Sequence, residues 1–479
     1  EVEQMNLFKD MVCYQEEVRD PSRMAEVLNR VIEKAIRGSA PAQINVPRDY
    51  WTQVIDIDLP PIVRFERQGG GKEAINKAAK LLSEAKFPVI LSGAGVVIGD
   101  AIDDCKNLAE KLDAPVCSGY QHNDSFPGSH PLAVGPLGYN GSKAAMQLIS
   151  KADVVLALGT RLNPFSTLPG YGIDYWPKNA NIIQVDINPD RIGLTKKVTV
   201  GIAGDAKQVA KQILEKLSSN AGDKGREDRK NLIHQTKSGW LQTLTSLDHE
   251  DDDPGTVWNK EARERDKDRM SPRQAWRAIQ AAMPEDVIIS SDIGNNCAIG
   301  NAYPTFEKSR KYLAPGLFGP CGYGFPSILG AKIGCPNTPV IGFAGDGAFG
   351  ISMNEMSSCA RKEWPAITMV IFRNYQWGAE KRNSILWFND NFVGTELDPE
   401  LSYAKVANAC GLKGVTVKTM EETTKAIKQS CEDQKKGVTT FIEIILNQEL
   451  GEPFRRDAMK KPVEVAGINK ADMKSQKLI

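Results

Sequence analysis

Neither sign of charge prevails in this chain: 60 Lys and Arg stand against 60 Asp and Glu, a formal net charge of zero. With no overall field, neither nucleic acid nor an anionic membrane surface is an expected partner. Long apolar runs are also missing. No stretch of 18 apolar residues occurs, so no membrane-spanning helix is expected. Nine cysteines are scattered from Cys13 to Cys431 without a single CxxC pair. That spacing fits reduced, buried thiols in a cytoplasmic protein better than a disulfide or zinc framework. The chain opens at Glu1 with neither Met nor a charged-then-apolar leader. No secretory signal is visible, and the front of the protein is expected to be missing.

What is present is a length of 479 residues, enough for about three domains at roughly 150 residues each. Asp20-Pro21 starts a helix that Met24, Val27, Leu28, Val31 and Ile32 continue at helical spacing, and a strand over Ala42–Val46 follows. Residues 1–50 therefore read as a terminal αβ remnant. Pro60-Pro61 and Gly69-Gly70-Gly71 mark 51–71 as a linker. Helix and strand patterns alternate over 72–218, predicting a doubly wound central domain. Gly93, Gly95 and Gly99 approach a dinucleotide fingerprint, but the third glycine is one place late. A tight structural turn is the preferred reading and a bound nucleotide the rival. Residues 219–270 are charged and weakly periodic, a linker with some helix over Asn231–Leu244 and an acidic run at 248–253 that reads as a solvated loop. Ser271-Pro272-Arg273-Gln274 has the form of a capping box. It opens a third α/β domain over 271–448, followed by a Lys-rich tail, 449–479.

The chemistry gathers between Val340 and Arg382. Val340–Ala344 and Ile367–Phe372 are short apolar runs and read as buried strands, with a helix over Ile351–Lys362 between them. Gly345-Asp346-Gly347 stands at the first strand exit and Arg373-Asn374 at the second. In a right-handed βαβ unit these exits can be neighbours on the carboxyl edge of a parallel sheet, where such sheets bind ligands. Two further glycine-rich segments, Asp292–Asn296 and Gly319–Gly324, can expose backbone amides to anionic oxygens. Asp346 offers a carboxylate, Asn374 an amide oxygen, and the main chain just beyond a carbonyl. Few protein oxygens, with phosphates and water completing an octahedron, is the usual way of holding Mg²⁺. The site reads as Mg²⁺ plus a diphosphate.

The spacing from Gly345-Asp346-Gly347 to Asn374 resembles the signature of thiamine diphosphate enzymes of the acetolactate synthase and pyruvate decarboxylase superfamily. The resemblance covers nearly the whole chain. It implies an α/β fold of three doubly wound parallel-sheet domains, the first incomplete. Residues 1–50 correspond to the end of the pyrimidine-binding domain, 72–218 to the central domain and 271–448 to the pyrophosphate-binding domain. It further implies that Asp346, Asn374 and the carbonyl of Gln376 hold Mg²⁺. Gly347 and Ala348 offer amides to the diphosphate, and Gly294, Asn295, Asn296 and Gly378 stand at cofactor contacts. The carbonyl of Gly319 would meet the pyrimidine amino group. Cys321 would be the wedge under the bent cofactor, a departure from the bulky Met, Leu or Ile usual there. The superfamily's activating Glu belongs to the region before Glu1, so the catalytic residues are expected outside this sequence and the fragment alone is expected to be inactive. None of the four histidines, at 122, 130, 234 and 249, falls next to a cofactor motif.

Within the superfamily, Asn123–Pro127, Gly135–Tyr139, the stretch 249–258, the stretch 317–325 and the stretch 374–383 look specifically like the sulfoacetaldehyde acetyltransferase family. Its reaction is sulfoacetaldehyde plus phosphate to acetyl phosphate plus sulfite, with the acetyl group carried on the cofactor. Two anionic groups then need cationic donors, and Arg373, Lys381 and Arg382 are the candidates. An acetolactate synthase-type carboligase is the near rival, and a non-catalytic nucleotide-binding protein the distant one. Sites built between subunits are usual in the superfamily, which implies a homodimer or homotetramer.

Overall fold

The computed structural model describes residues 2–61, 66–248, 264, 266–316, 318–361, 363–382 and 393–450. It divides into two compact units, residues 1–67 and 68–479. In the first, strands β1 (Tyr14–Glu17) and β2 (Ala42–Asn45) pair in parallel beneath the helix Met24–Gly38. Asp20 caps the turn ahead of this helix by accepting from the Ser22 amide at 2.9 Å. Strand β1 was not expected, because Tyr-Gln-Glu-Glu carries no apolar run.

The second unit holds two six-stranded parallel sheets. The central one consists of β3 (Pro88–Ser92), β4 (Val116–Ser118), β5 (Ala133–Pro136), β6 (Val154–Leu158), β7 (Asn181–Asp186) and β8 (Val200–Ala203). Their order is β5-β4-β3-β6-β7-β8. The other consists of β9 (Ile288–Ser291), β10 (Tyr312–Leu313), β11 (Val340–Gly345), β12 (Thr368–Arg373), β13 (Lys413–Val417) and β14 (Thr440–Ile445). Their order is β10-β9-β11-β12-β14-β13. Alternate residues of the central strands serve opposite faces. Ile341, Phe343, Val370 and Phe372 join one core, while Val340, Ala344, Met369 and Ile371 join the other. Burial on both faces is why these strands read as unbroken apolar runs.

Two local expectations change. The helix placed over Ile351–Lys362 begins instead at Asp346, runs to Ser352, and breaks into short turns beyond it. Asp346 is thus the first helical residue. Residues 219–248 are also not a loose linker. The helix Arg226–Ser246 contributes Ile233 to the core of the central sheet and Trp240 and Leu244 to the core of the other. Ala144 of the central domain also enters that second core. The helix is tied down by Arg229, 1% exposed, whose guanidinium donates to the carbonyls of Asp113, Lys86, Lys224, Leu112 and Gly222 at 2.6–2.9 Å. The remainder of the acidic run after Asp248 and the tail from 451 lie outside the described residues.

Replacing Arg229 leaves up to five buried carbonyls short of a donor, each costing about 1 kcal/mol or more. Arg229→Met is expected to lower unfolding free energy by about 3–5 kcal/mol, read as a shift in urea midpoint. Arg226→Met, which removes only part-exposed ion pairs with Asp113 and Asp223, is expected to shift it by less than about 1 kcal/mol.

Candidate functional site

Strand β9 connects to β10 on one side, and β11 connects to β12 on the other. The crevice between the carboxyl ends of β9 and β11 is therefore the switch point of the sheet. Asp292–Asn296 leaves β9 there, and Asp346 leaves β11. The register aligns Gly345 with Phe372, so Arg373 falls beside Asp346 and Asn374 one place beyond. The three exits read from the sequence are neighbours.

Hydrogen bonds join them into one surface. Asp292, 1% exposed, accepts from the amides of Ile293 at 2.7 Å, Gly322 at 3.0 Å and Gly324 at 2.7 Å. That single carboxylate pins the segment 319–324 to the exit of β9. Burial raises its pKa, and the three amides oppose the rise. Gly294 has φ +140 and nothing within 4 Å of where a Cβ would stand, which leaves open space over the backbone. The Trp276 ring nitrogen donates to the Asn296 carbonyl at 2.8 Å from beneath. The side-chain oxygen of Asn296 is buried and has no partner among the described residues.

Asp346 is 1% exposed, and its Oδ2 accepts from the Tyr375 amide at 2.6 Å and from Arg373 at 3.1 Å. Oδ1 accepts one bond, from the Gly347 amide at 2.9 Å. Burial pushes its pKa up to about 6 against the pull of Arg373. A second cation would supply what burial withholds, and Oδ1, accepting one bond, keeps a lone pair for it. Tyr375 sits at φ +61, folding the chain after Asn374 so that its own amide reaches Asp346. A side chain at Gly347 would strike the Trp377 ring at 2.7 Å, so only glycine lets the turn after β12 close over the start of the Asp346 helix. Gly378 lies against Asn295, which completes the ring of segments. Asp346, Asn374 and main-chain carbonyls suit a hard cation, and the amides near Gly294 and Gly347 suit a diphosphate.

A cavity of about 300 Å³ opens beside this surface, between the two sheets of the second unit. Of the residues expected at the site, Gly294, Asn295, Gly319 and Arg382 line it. Cys321 does not, and burial together with Asp292 raises its thiol pKa, which disfavours the nucleophilic thiolate. The three cations expected at substrate separate. Arg382 donates to Asn295 and to the Tyr139 hydroxyl on the cavity wall. Lys381 instead pairs with Glu396. Arg373 is 1% exposed and is spent on Asp346 and the carbonyls of Asp398 and Leu401, with its guanidinium over the Tyr375 ring. Arg373 is therefore a counterion beneath the site, because its strand carries it inward.

The opposite wall was not anticipated. His122 and Arg161, together with Tyr120 and Tyr139, come from the central domain. Although no histidine lies next to a cofactor motif in the sequence, His122 shares this cavity with Gly294 and Asn295. The signal available was positional, since Gly119–His122 follows directly on β4 and Arg161 follows β6. Both are strand exits. The Gly93 fingerprint, by contrast, is consumed in packing. Side chains at Gly93 or Gly95 would meet the backbone of Gly159 at 2.6 Å, so the switch point of the central sheet is closed by its own chain.

Comparisons with known proteins agree with this layout. Residues 75–213 match the family described as thiamine pyrophosphate enzyme, central domain, and 292–444 match the thiamine pyrophosphate enzyme C-terminal TPP binding domain. The chain is 77% identical to a probable sulfoacetaldehyde acetyltransferase of Rhizobium meliloti (strain 1021), covering all of this chain and 81% of that protein. It is 74% identical to a sulfoacetaldehyde acetyltransferase of Roseovarius nubinhibens, again over the whole chain and 79% of the relative. A probable acetolactate synthase large subunit of Methanococcus aeolicus is 28% identical over 90% of the chain and 72% of that protein. The crystal structure of benzoylformate decarboxylase from Polynucleobacter necessarius shares the fold, with a TM-score of 0.73 at 20% identity over 94% of this chain and 79% of the other.

Burial and the neighbouring Arg161 lower the His122 pKa from 6.5 to about 4. The unfolded chain therefore takes up a proton between pH 6.5 and 4 that the folded chain refuses. Stability is lost as pH falls through that window, by about 2–3 kcal/mol at pH 4.5. His122→Gln is expected to remove that part of the slope. Urea midpoints of both proteins at pH 7 and 4.5 check it, and a wild-type imidazole titrating near 6.5 by NMR would contradict it.

Proposed function

This chain belongs to the sulfoacetaldehyde acetyltransferases, within the thiamine pyrophosphate enzymes, and we propose that it transfers the acetyl unit of sulfoacetaldehyde to phosphate. The products are acetyl phosphate and sulfite. The observation that carries the reading is a cavity on whose wall two guanidiniums, Arg161 and Arg382, stand beside the glycine-lined exit of β9. A reaction that joins a sulfonate and a phosphate brings two anions to one place, and arginine gives each a planar, two-point donor.

Asp346, Asn374 and the carbonyl of Gln376 would hold Mg²⁺, with Arg373 keeping the Asp346 carboxylate ionised and oriented from below. Amides of Gly347 and Ala348, and the segment Gly294–Asn296 with Gly378 against it, would receive the diphosphate. The carbonyl of Gly319 and the side chain of Cys321 would face the pyrimidine end. When bound, thiamine diphosphate supplies the nucleophilic carbon and the electron sink that an aldehyde needs before sulfite can leave. The chain's own part is placement. Arg382, fixed by Asn295 and Tyr139, orients an anionic substrate. The reading includes a cytoplasmic location and at least a homodimer.

The full-length protein with thiamine diphosphate and Mg²⁺ is expected to release sulfite from sulfoacetaldehyde only when phosphate is added. Pyruvate consumption without sulfite release would place it among the carboligases instead. Asp346→Asn keeps the size of the side chain and removes the charge. It is expected to weaken Mg²⁺-dependent binding of thiamine diphosphate by at least about 30-fold, or 2 kcal/mol, in calorimetry. Unchanged binding would remove the metal assignment.

A further inference from the structure

We propose that His122 and Arg161 form the subsite for inorganic phosphate, on the central-domain wall of the cavity, which rests on the acetyl-transfer reading above. Arg161 leaves β6 and is followed by Leu162, fully buried at φ +54. A bulky residue in the left-handed region is strained, and it persists only where its surroundings hold it. Here Thr195 donates to the Leu162 carbonyl at 2.7 Å and Gln184 to the Thr160 carbonyl at 3.2 Å. Across the cavity edge, His122 follows Gln121, which is also left-handed at φ +59 and 6% exposed. Two held turns thus direct one arginine and one histidine onto the same wall.

Neither side chain is used by the fold. The guanidinium of Arg161 makes no hydrogen bond or ion pair with any described residue, and burial lowers its pKa with only Asp186 opposing. A half-desolvated cation without a partner is costly unless an anion arrives. The imidazole of His122 likewise has no hydrogen-bond partner among the described residues. Burial and Arg161 hold it neutral. Arg382, by contrast, is already occupied by Asn295 and Tyr139.

The pair discriminates between the two anions of the reaction. Hydrogenphosphate carries an O–H as well as negative oxygens, whereas a sulfonate near neutral pH carries no proton. A neutral imidazole nitrogen accepts that O–H while Arg161 takes two unprotonated oxygens. Sulfate or sulfonate has no proton to give, so it cannot make this bond. The other ionisable or charged groups on the wall are Tyr120, Tyr139, Asp292 and Arg382. Burial raises the pKa of Tyr120 and of Asp292.

Calorimetry on the full-length protein, without cofactor, with inorganic phosphate and then sulfate at pH 7.5, tests the subsite apart from turnover. Wild type is expected to prefer phosphate by at least about tenfold, and Arg161→Met to weaken both anions by a similar factor. His122→Phe is expected to erase the preference while sulfate affinity stays within about twofold. His122→Gln, whose amide oxygen still accepts, is expected to keep most of it. In the loaded enzyme, Arg161→Met and His122→Phe should raise KM for phosphate and leave KM for sulfoacetaldehyde in place. Phosphate affinity untouched in Arg161→Met, or a rise in KM for sulfoacetaldehyde alone, overturns the assignment. Phosphate binding with this pattern in a protein that releases no sulfite would sink the acetyl-transfer reading and leave the subsite standing.

Discussion

The site depends on one carboxylate kept usable where burial disfavours its charge. Asp346 is 1% exposed, and burial raises its pKa to about 6 even against the pull of Arg373. Arg373, equally buried, supplies the opposing charge at 3.1 Å, and lies 3.8 Å from Glu443 on β14. Such pairs add little net stability, because desolvating both partners consumes most of the attraction. Their value here is geometric. Arg373 and the Tyr375 amide both occupy Oδ2, so the other oxygen keeps a fixed direction with a lone pair to spare. The hydroxyl of Tyr403 holds the Asp346 carbonyl at 2.8 Å, locking the first residue of the helix as well.

The two sheets show opposite fates of the same topology. Each is doubly wound with a switch point between its first strand and the strand that follows the reversal. In the central sheet, Gly93 and Gly95 close onto Gly159 and fill that crevice with backbone. In the other sheet, Gly294 and Gly345 have open space where a Cβ would stand. Glycine permits both, so its presence alone distinguishes neither. What separates them is the partner strand exit: Gly159 closes one, and an acidic residue at the start of a helix keeps the other polar. The closed sheet then serves as a wall, with its strand exits facing the open one.

This contrast explains how much was legible in the residues. Asp346 and Asn374 could be read together because one βαβ unit fixes their neighbourhood through local sequence. The alternation of elements and the capping box at Ser271 were legible for the same reason, each being decided within a few residues. His122, Tyr139 and Arg161 were not, because their relation to Gly294 depends on how two domains pack. That packing rests on the helix Arg226–Ser246, whose most buried polar anchor, Arg229, sits in a stretch that otherwise reads as charged linker. Arg373 was misread for a related reason. Spacing places an arginine beside a motif, but strand parity decides whether it points to the cavity or into the sheet. The two-residue strand β10 carries too little pattern to be read at all.

The absence of net charge leaves anion recognition to the cavity itself. With 60 charges of each sign, no long-range field concentrates anions at the protein, and steering contributes little to capture. Discrimination must arise within contact distance, where a partly desolvated guanidinium interacts more strongly than one in water. Two guanidiniums from different domains, one already bound to Asn295 and Tyr139 and one without a protein partner, are not equivalent. The first offers a preset direction at little further reorganisation. The second gains most from an incoming anion and is therefore the more sensitive to its charge and protonation. A single cavity thereby offers two tetrahedral oxoanion groups of similar size two different arginines, and the imidazole of His122 beside Arg161 adds an acceptor that only the protonated anion can use.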